Sequence, residues 1–409
     1  VGEIMAWIIG WDLILEMLMA GSVISKYWGV YLNDFMRLMG WNANTNLTFG
    51  SFHIDIAPII IVAFFTTLLV FGTKIGARVD GAMTVLKIAI VFFVVIVGFF
   101  YVKASNFTPF IPPSQPASTV EGSSAVTGVM TQPLWQFATG MTPSVYGVPG
   151  ILSGAALVFF AFIGFDVVAT ASEETKNPHK NVPLGIGVGM LLIIVMYMLV
   201  AVVTTGMVSY ADLAKQDSPS LATAFELVGA DWAAKIISFG IVLGLATVVM
   251  VLLLGLTRIV FAMSRDGLLP RGLSKTGKHG TPAALQIVVG AVVALVAAFF
   301  DIGVLSDMVN IGTLSAFTLV AISIPIMRKK RPDLPRAFKM PGSPWIPILI
   351  AVANFWLMLN LSVLTWIRFV VWLVVGFAIY FGYGYWHARL GKGDLTETLS
   401  AETDKAVNG

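Results

Sequence analysis

The sequence predicts an all-α polytopic membrane protein, and three observations carry that prediction. Of its 409 residues, 57% are hydrophobic and only 11% are charged, against about 25% charged in soluble globular domains. The apolar residues gather into ten runs, each long enough to cross about 30 Å of hydrocarbon. The basic residues concentrate in alternate connections between those runs.

The first run, near 4–25, has Glu3 at its entrance and carries Asp12 and Glu16. These two carboxylates are four residues apart, so they share one helix face, which has to be turned away from lipid. They read either as a proton relay or as partners of a lysine on a neighbouring helix. Runs near 55–72 and 81–102 follow, and the second of them holds Lys87. Lys87 lies about six residues past the entry, roughly 10 Å into the bilayer at 1.5 Å per residue. At that depth the four-carbon stem can return the ammonium to the interface, or the charge can serve inside the bundle. Residues 103–148, rich in Pro, Ser, Thr and Gly, read as a long mobile loop without a recognisable site.

The fourth run, near 149–171, departs furthest from a plain span. It passes through Phe159, Phe160, Ala161, Phe162 and Ile163 to Gly164 and Asp166, then to Glu173, Glu174, Lys176, Asn177–Pro178 and Pro183. A carboxylate facing lipid costs roughly 2.5–3.5 kcal/mol, so Asp166 is expected to face the bundle interior or a water-filled cavity. Gly164 gives the backbone freedom to loosen the helix there, exposing carbonyls and N–H groups to a small polar ligand. The plainer reading is that Gly164 allows close packing and Asp166 bonds a neighbouring helix. The remaining runs lie near 183–207, 232–262, 282–300, 307–327, 344–364 and 368–388, and the tail after Gly391 is polar.

Loop charge sets the orientation. With the connections after the second, fourth, sixth and eighth runs and the C-terminus on one side, that side carries 17 basic residues and the other six. The positive-inside rule makes the richer side, and the C-terminus with it, cytoplasmic. Residues 103–148 then become an extracellular loop.

Several function classes are excluded. There is no cysteine, so there is no disulfide-linked partner, thiolate catalysis or cysteine-ligated metal. His53, His179, His279 and His387 are scattered along the chain and make no metal-ligand spacing. No nucleophile and base are paired within the runs, so the chain does not read as an enzyme, and no cofactor is implied. The net charge of +3 follows from membrane topology and gives no reason to invoke nucleic acid.

Three strings in order carry a family resemblance: Phe159–Pro183 (FFAFIGFDVVATASEETKNPHKNVP), Arg258–Pro270 (RIVFAMSRDGLLP) with Thr281–Pro282, and Arg336–Pro347 (RAFKMPGSPWIP). They resemble the amino acid–polyamine–organocation (APC) superfamily of permeases, in the branch of cationic amino acid transporters and their bacterial homologues. The resemblance extends over almost the whole chain. It implies the inverted-repeat (LeuT-like) transporter fold, and it begins at the family's third helix. The chain, which starts at Val1, is therefore expected to be N-terminally truncated, with ten of twelve spans present.

On this resemblance, residues 1–102 are the remainder of the first repeat, 103–148 the extracellular loop and 149–327 the second repeat. Residues 328–343 are a cytoplasmic loop, 344–390 two further spans and 391–409 a cytoplasmic tail.

The resemblance implies secondary active transport of L-amino acids across the plasma membrane by alternating access, with the proton as coupling ion. The alternatives are an exchanger of amino acids or polyamines, and a sensor that binds without transporting. Carbonyls of Phe160, Ala161, Ile163 and Gly164, with Asp166 nearby, would receive the substrate ammonium, as expected of a helix end that attracts cations. The carboxylate-binding half would lie before residue 1.

Ala246, Val249 and Met250 would form the pocket wall, with Met250 limiting side-chain size; the alternative for each is core packing. An apolar wall favours small neutral substrates such as alanine. Lys87 would take the place of a bound sodium ion, with Glu16 as its counter-charge, and Arg265 would form a cytoplasmic gate with Glu173 or Glu174. The expected surroundings are a lipid bilayer, and the expected state is a monomer or homo-oligomer.

Overall fold

The computed structural model describes residues 3–41, 45–49, 52–71, 77–119, 128–164, 177–216, 220–275, 277, 281–330, 332, 340 and 342–388. Helix α1 (Glu3–Leu38) leads through a hairpin of β1 (Asn46–Phe49) and β2 (Phe52–Asp55) into α2 (Ile56–Val70) and α3 (Ala77–Phe99). The hairpin is antiparallel, with Asn46 opposite Asp55. After α3 come a 3₁₀ turn (Ala104–Phe107), β3 (Gln115–Pro116), α4 (Leu134–Thr139), β4 (Ser144–Val145) and α5 (Gly147–Val158). The second half holds α6 (Pro178–Met207), α7 (Tyr210–Ala214), α8 (Leu221–Leu227), α9 (Asp231–Arg265), α10 (Ala283–Phe299), α11 (Ile302–Lys330), α12 (Trp345–Leu359) and α13 (Val363–Ile379). A π-helical turn (Tyr380–Gly384) joins α13 to a last short helix, α14 (Tyr385–His387).

Among the described residues, six helices are long and apolar enough to cross a bilayer: Glu3–Leu38, Gly81–Phe99, Lys180–Met207, Asp231–Arg265, Ile302–Lys330 and Val363–His387. Four further apolar helices are shorter: Ile56–Val70, Gly147–Phe162, Ala283–Phe299 and Trp345–Leu359. The molecule is thus a multi-pass helical membrane protein.

Its centre is α1, which packs chiefly between α9 and α11 and also touches α2, α10 and α13. Trp7, Trp11, Asp12, Leu15, Glu16 and Met17 are all buried, as expected for a helix enclosed on most sides. The largest core joins α1 to Ile61, Val62 and Phe65 of α2, Leu252 and Leu253 of α9, and Val289 and Val293 of α10. A second core gathers Val94, Val203, Phe225 and Ile237 where α3, α6, α8 and α9 meet.

Trp11 clamps α1 to α13. Its indole stacks on Trp372 at 4.4 Å between ring centroids, and its Nε1 donates to the Trp372 carbonyl at 2.9 Å. The glycine at Gly376 makes room, since a Cβ there would overlap the Trp11 ring.

Three elements differ from the sequence expectation. The first helix does not stop near residue 25 but continues to Leu38, roughly 54 Å in all at 1.5 Å per residue. Its last turns are polar and find partners instead of lipid: Arg37 forms a two-pronged contact with Glu226 of 2.9 and 2.8 Å, and Asp34 accepts from Ser220 Oγ at 3.0 Å. Helix α6 starts at Pro178 and not near Pro183, because proline is at ease in a first helical turn. The loop 103–148 contains ordered pieces, and three backbone bonds tie it to the α12–α13 junction: Leu134 N–H to Leu361, Val363 N–H to Gln132 and Leu364 N–H to Met130. Such bonds join distant parts of the chain and leave no periodicity in the sequence.

Candidate functional site

Helix α5 changes character where the sequence departs from a plain span. Its α-helical turns give way to a 3₁₀ turn over Phe159–Phe162, a tighter winding suited to short stretches near helix ends. Ile163 is then extended, at φ −67° and ψ 143°, and Gly164 has φ 115°. That value lies in a region L side chains rarely adopt, so a glycine is what lets the chain leave the helix there. Asp166, Glu173 and Glu174 lie outside the described residues.

A helix end leaves carbonyls without donors, and hydrocarbon offers no water to satisfy them. Two neighbouring helices reach this one. Asn310 of α11, fully buried, donates from Nδ2 to the Leu157 carbonyl at 3.0 Å. Tyr197 of α6 donates its hydroxyl to the Ala161 carbonyl at 2.5 Å. The Tyr197 ring also packs edge-on against Phe162, 5.3 Å between centroids, and Phe159 packs edge-on against Phe317 of α11. Within the segment, the Phe160 carbonyl accepts from Ile163 N–H at 3.1 Å. Phe160, Ile163, Ala246 and Met250 all pack, half-buried, against the margin of the large core around α1.

The predicted ionisable residues fall in three places. Glu16 is fully buried in α1, one turn from Asp12. Asp12 is also fully buried, and one of its oxygens accepts from Ser315 Oγ of α11 at 2.8 Å. Lys87 of α3 lies against α9, where a Cβ on Gly244 would stand 3.3 Å from Lys87 Cγ. It borders a cavity of about 180 Å³ otherwise walled by apolar groups, Ile90, Val94, Val200 and Val248 among them. Arg265 ends α9 largely exposed, its Nε 3.5 Å from Asp266.

Sequence reasoning missed Asn310, Tyr197 and Ser315. Asn310 gave the clearest signal, an amide inside an apolar run, which in a membrane asks for a partner. Tyr197 and Ser315 are ordinary in such runs, and only the fold shows what they touch.

The family model described as "Amino acid permease" matches residues 1–384. The branched-chain amino acid permease BcaP of Bacillus subtilis is 41% identical over 399 residues, covering 96% of this chain and 78% of that protein. The methylthioribose transporter of Bacillus subtilis is 37% identical, again over 96% of this chain and 78% of its own length. The vacuolar cationic amino acid transporter 4 of Arabidopsis thaliana is 33% identical, over 81% of this chain and 51% of its own. These relatives are permeases and transporters, not enzymes.

Proposed function

Because the chain belongs to the amino acid permease family of the APC superfamily, we propose that it is a secondary active transporter of L-amino acids, working by alternating access as a proton symporter in the plasma membrane. The observation that carries this reading is the interruption of α5 at Phe159–Gly164, which turns the carbonyl end of a membrane helix into a site for an ammonium group. Phe160, Ala161, Ile163 and Gly164, with Asp166, hold the ammonium, and Met250 bounds the side-chain pocket. Lys87, with Glu16 as counter-charge, carries the coupling proton. Arg265 with Glu173 or Glu174 closes the cytoplasmic side.

The corresponding architecture has ten spans and a C-terminus in the cytoplasm. Residues 1–102 and 149–327 belong to two inverted repeats, with 103–148 outside, 328–343 inside, 344–390 an added pair and 391–409 the tail.

The half-buried apolar groups Phe160, Ile163, Ala246 and Met250 suit a substrate with an apolar side chain. The two BcaP relatives, 41% and 30% identical, extend the choice from alanine to branched chains. A second reading, a thio-sugar substrate, has one observation behind it, the 37% identity to the methylthioribose transporter.

A competition panel decides between them. Proteoliposomes are assayed for uptake of labelled L-isoleucine, L-alanine and methylthioribose, each against unlabelled leucine, valine, arginine and methylthioribose. Saturable uptake competed by neutral amino acids supports the proposal. Uptake of methylthioribose alone would replace it with the second reading.

A further inference from the structure

The two side chains that reach the end of α5 come from different helices and take carbonyls on either side of its change in winding. Asn310 stands on α11 and holds Leu157, in the last α-helical turn; Tyr197 stands on α6 and holds Ala161, inside the 3₁₀ turn. The first is a costly arrangement. Asn310 is fully buried, and its Oδ1 has no hydrogen-bond partner among the described residues, so a polar group has been taken from water for the bond its amide makes. Tyr197 carries a hydroxyl on a helix otherwise rich in Leu, Val and Ile, and that hydroxyl meets a backbone oxygen released where regular winding ends.

A carbonyl oxygen has two lone pairs. A donor fixed on one of them leaves the other pointing in a set direction, and a polar group aimed before its ligand arrives binds with less ordering cost. We propose that Asn310 and Tyr197 are positioning residues of the substrate site, fixing the Leu157 and Ala161 carbonyls so that the interrupted helix presents its remaining acceptor capacity to the substrate ammonium. They act through the backbone and do not touch substrate themselves. The inference rests on the proposed binding role of Phe159–Gly164.

A purely structural role would lower thermal stability or the yield of active protein, and would leave affinity alone. Tyr197→Phe removes a single oxygen and keeps the ring on Phe162; Asn310→Ala removes the amide. The test compares uptake kinetics of L-isoleucine in proteoliposomes for wild type, Y197F, N310A and G164A. It adds inhibition by 3-methylpentanoate, which has the same carbon skeleton and carboxylate but no ammonium.

The expected result is a KM for isoleucine raised about 3- to 10-fold in Y197F and N310A, the scale of one lost hydrogen bond. Maximal velocity per folded protein stays unchanged, and so does inhibition by 3-methylpentanoate. A raised KM in G164A with wild-type values in Y197F and N310A would overturn the positioning roles and leave the site standing. Wild-type KM in all three variants would remove the site from this segment, and the inference with it. Equal weakening for isoleucine and 3-methylpentanoate would also overturn it, because the effect would not pass through the ammonium. If N310A fails to fold, Y197F alone decides, since it changes no packing.

Discussion

Replacing Gly164 by Ala separates the backbone of the helix break from side-chain packing. The residue has φ 115°, and no atom of the described residues lies within 4 Å of where a Cβ would stand. Against the described residues the substitution adds no clash, and its cost there is conformational, roughly 1–3 kcal/mol for an L-residue in a sparsely populated region. If the binding-competent backbone bears all of that cost, its population falls by about 5- to 150-fold, and apparent affinity falls by the same factor.

The control is Gly154, earlier in α5, where a Cβ likewise has no neighbour within 4 Å and φ is not positive. Alanine there gains up to about 1 kcal/mol of helix propensity and should leave transport unchanged. The assay is initial-rate uptake of labelled L-isoleucine across a concentration series, normalised to folded protein. A KM for G164A within about twofold of wild type would mean that no transition-state or ground-state binding passes through this backbone, and the reasoning about the break would fail.

Three further outcomes follow from the packing and the charges. Gly376→Ala should displace Trp11 from Trp372, losing a hydrogen bond of about 1 kcal/mol and stacking of about 0.5–1.5 kcal/mol against a propensity gain near 1 kcal/mol. A melting midpoint in detergent below wild type by a degree or more is expected, and an unchanged midpoint would contradict the clamp. Asp55→Ala should destabilise by about 1–3 kcal/mol, because it strands a lysine. Lys26, the partner of Asp55, has a side chain only 9% exposed, and breaking a buried pair costs more than the pair is worth. The double variant K26M/D55A should recover most of that loss in the same melting assay, and no recovery would rule out charge burial as the cause. Lys87→Ala should abolish the dependence of uptake on an inward proton gradient while leaving substrate-driven counterflow; gradient-dependent uptake in the variant would remove Lys87 from coupling.

The helices were legible because hydrocarbon imposes one rule on every span: among the described residues the ten apolar runs fall on six helices long enough to cross a bilayer and four shorter apolar ones. The end of α5 was legible for a related reason. Gly164 and Asp166 stand out only against an apolar background, and the helix does stop at Ile163–Gly164. What stayed hidden depends on tertiary contact. Residues 26–38 mix Lys, Asn, Asp and Arg with aromatics, so no apolar criterion extends the first helix through them, yet Glu226 of α8 gives them an ion pair and Ser220, which caps α8, a hydroxyl partner.

The bond between Ser315 and Asp12 spans 303 positions, and Asn310 and Leu157 are 153 apart. Neither spacing leaves a local signature. The β1–β2 hairpin is four residues per strand, too short for alternation to rise above chance. Glu173 and Glu174, expected from the resemblance to form a gate, fall outside the described residues.

The most direct test of the central claim is accumulation of labelled L-isoleucine in sealed proteoliposomes held under an inward proton gradient. The account predicts saturable uptake that rises above the external concentration and collapses when a protonophore dissipates the gradient. Uptake that appears only with unlabelled amino acid preloaded inside would contradict symport and establish exchange. Saturable binding with no label reaching the lumen would contradict transport itself.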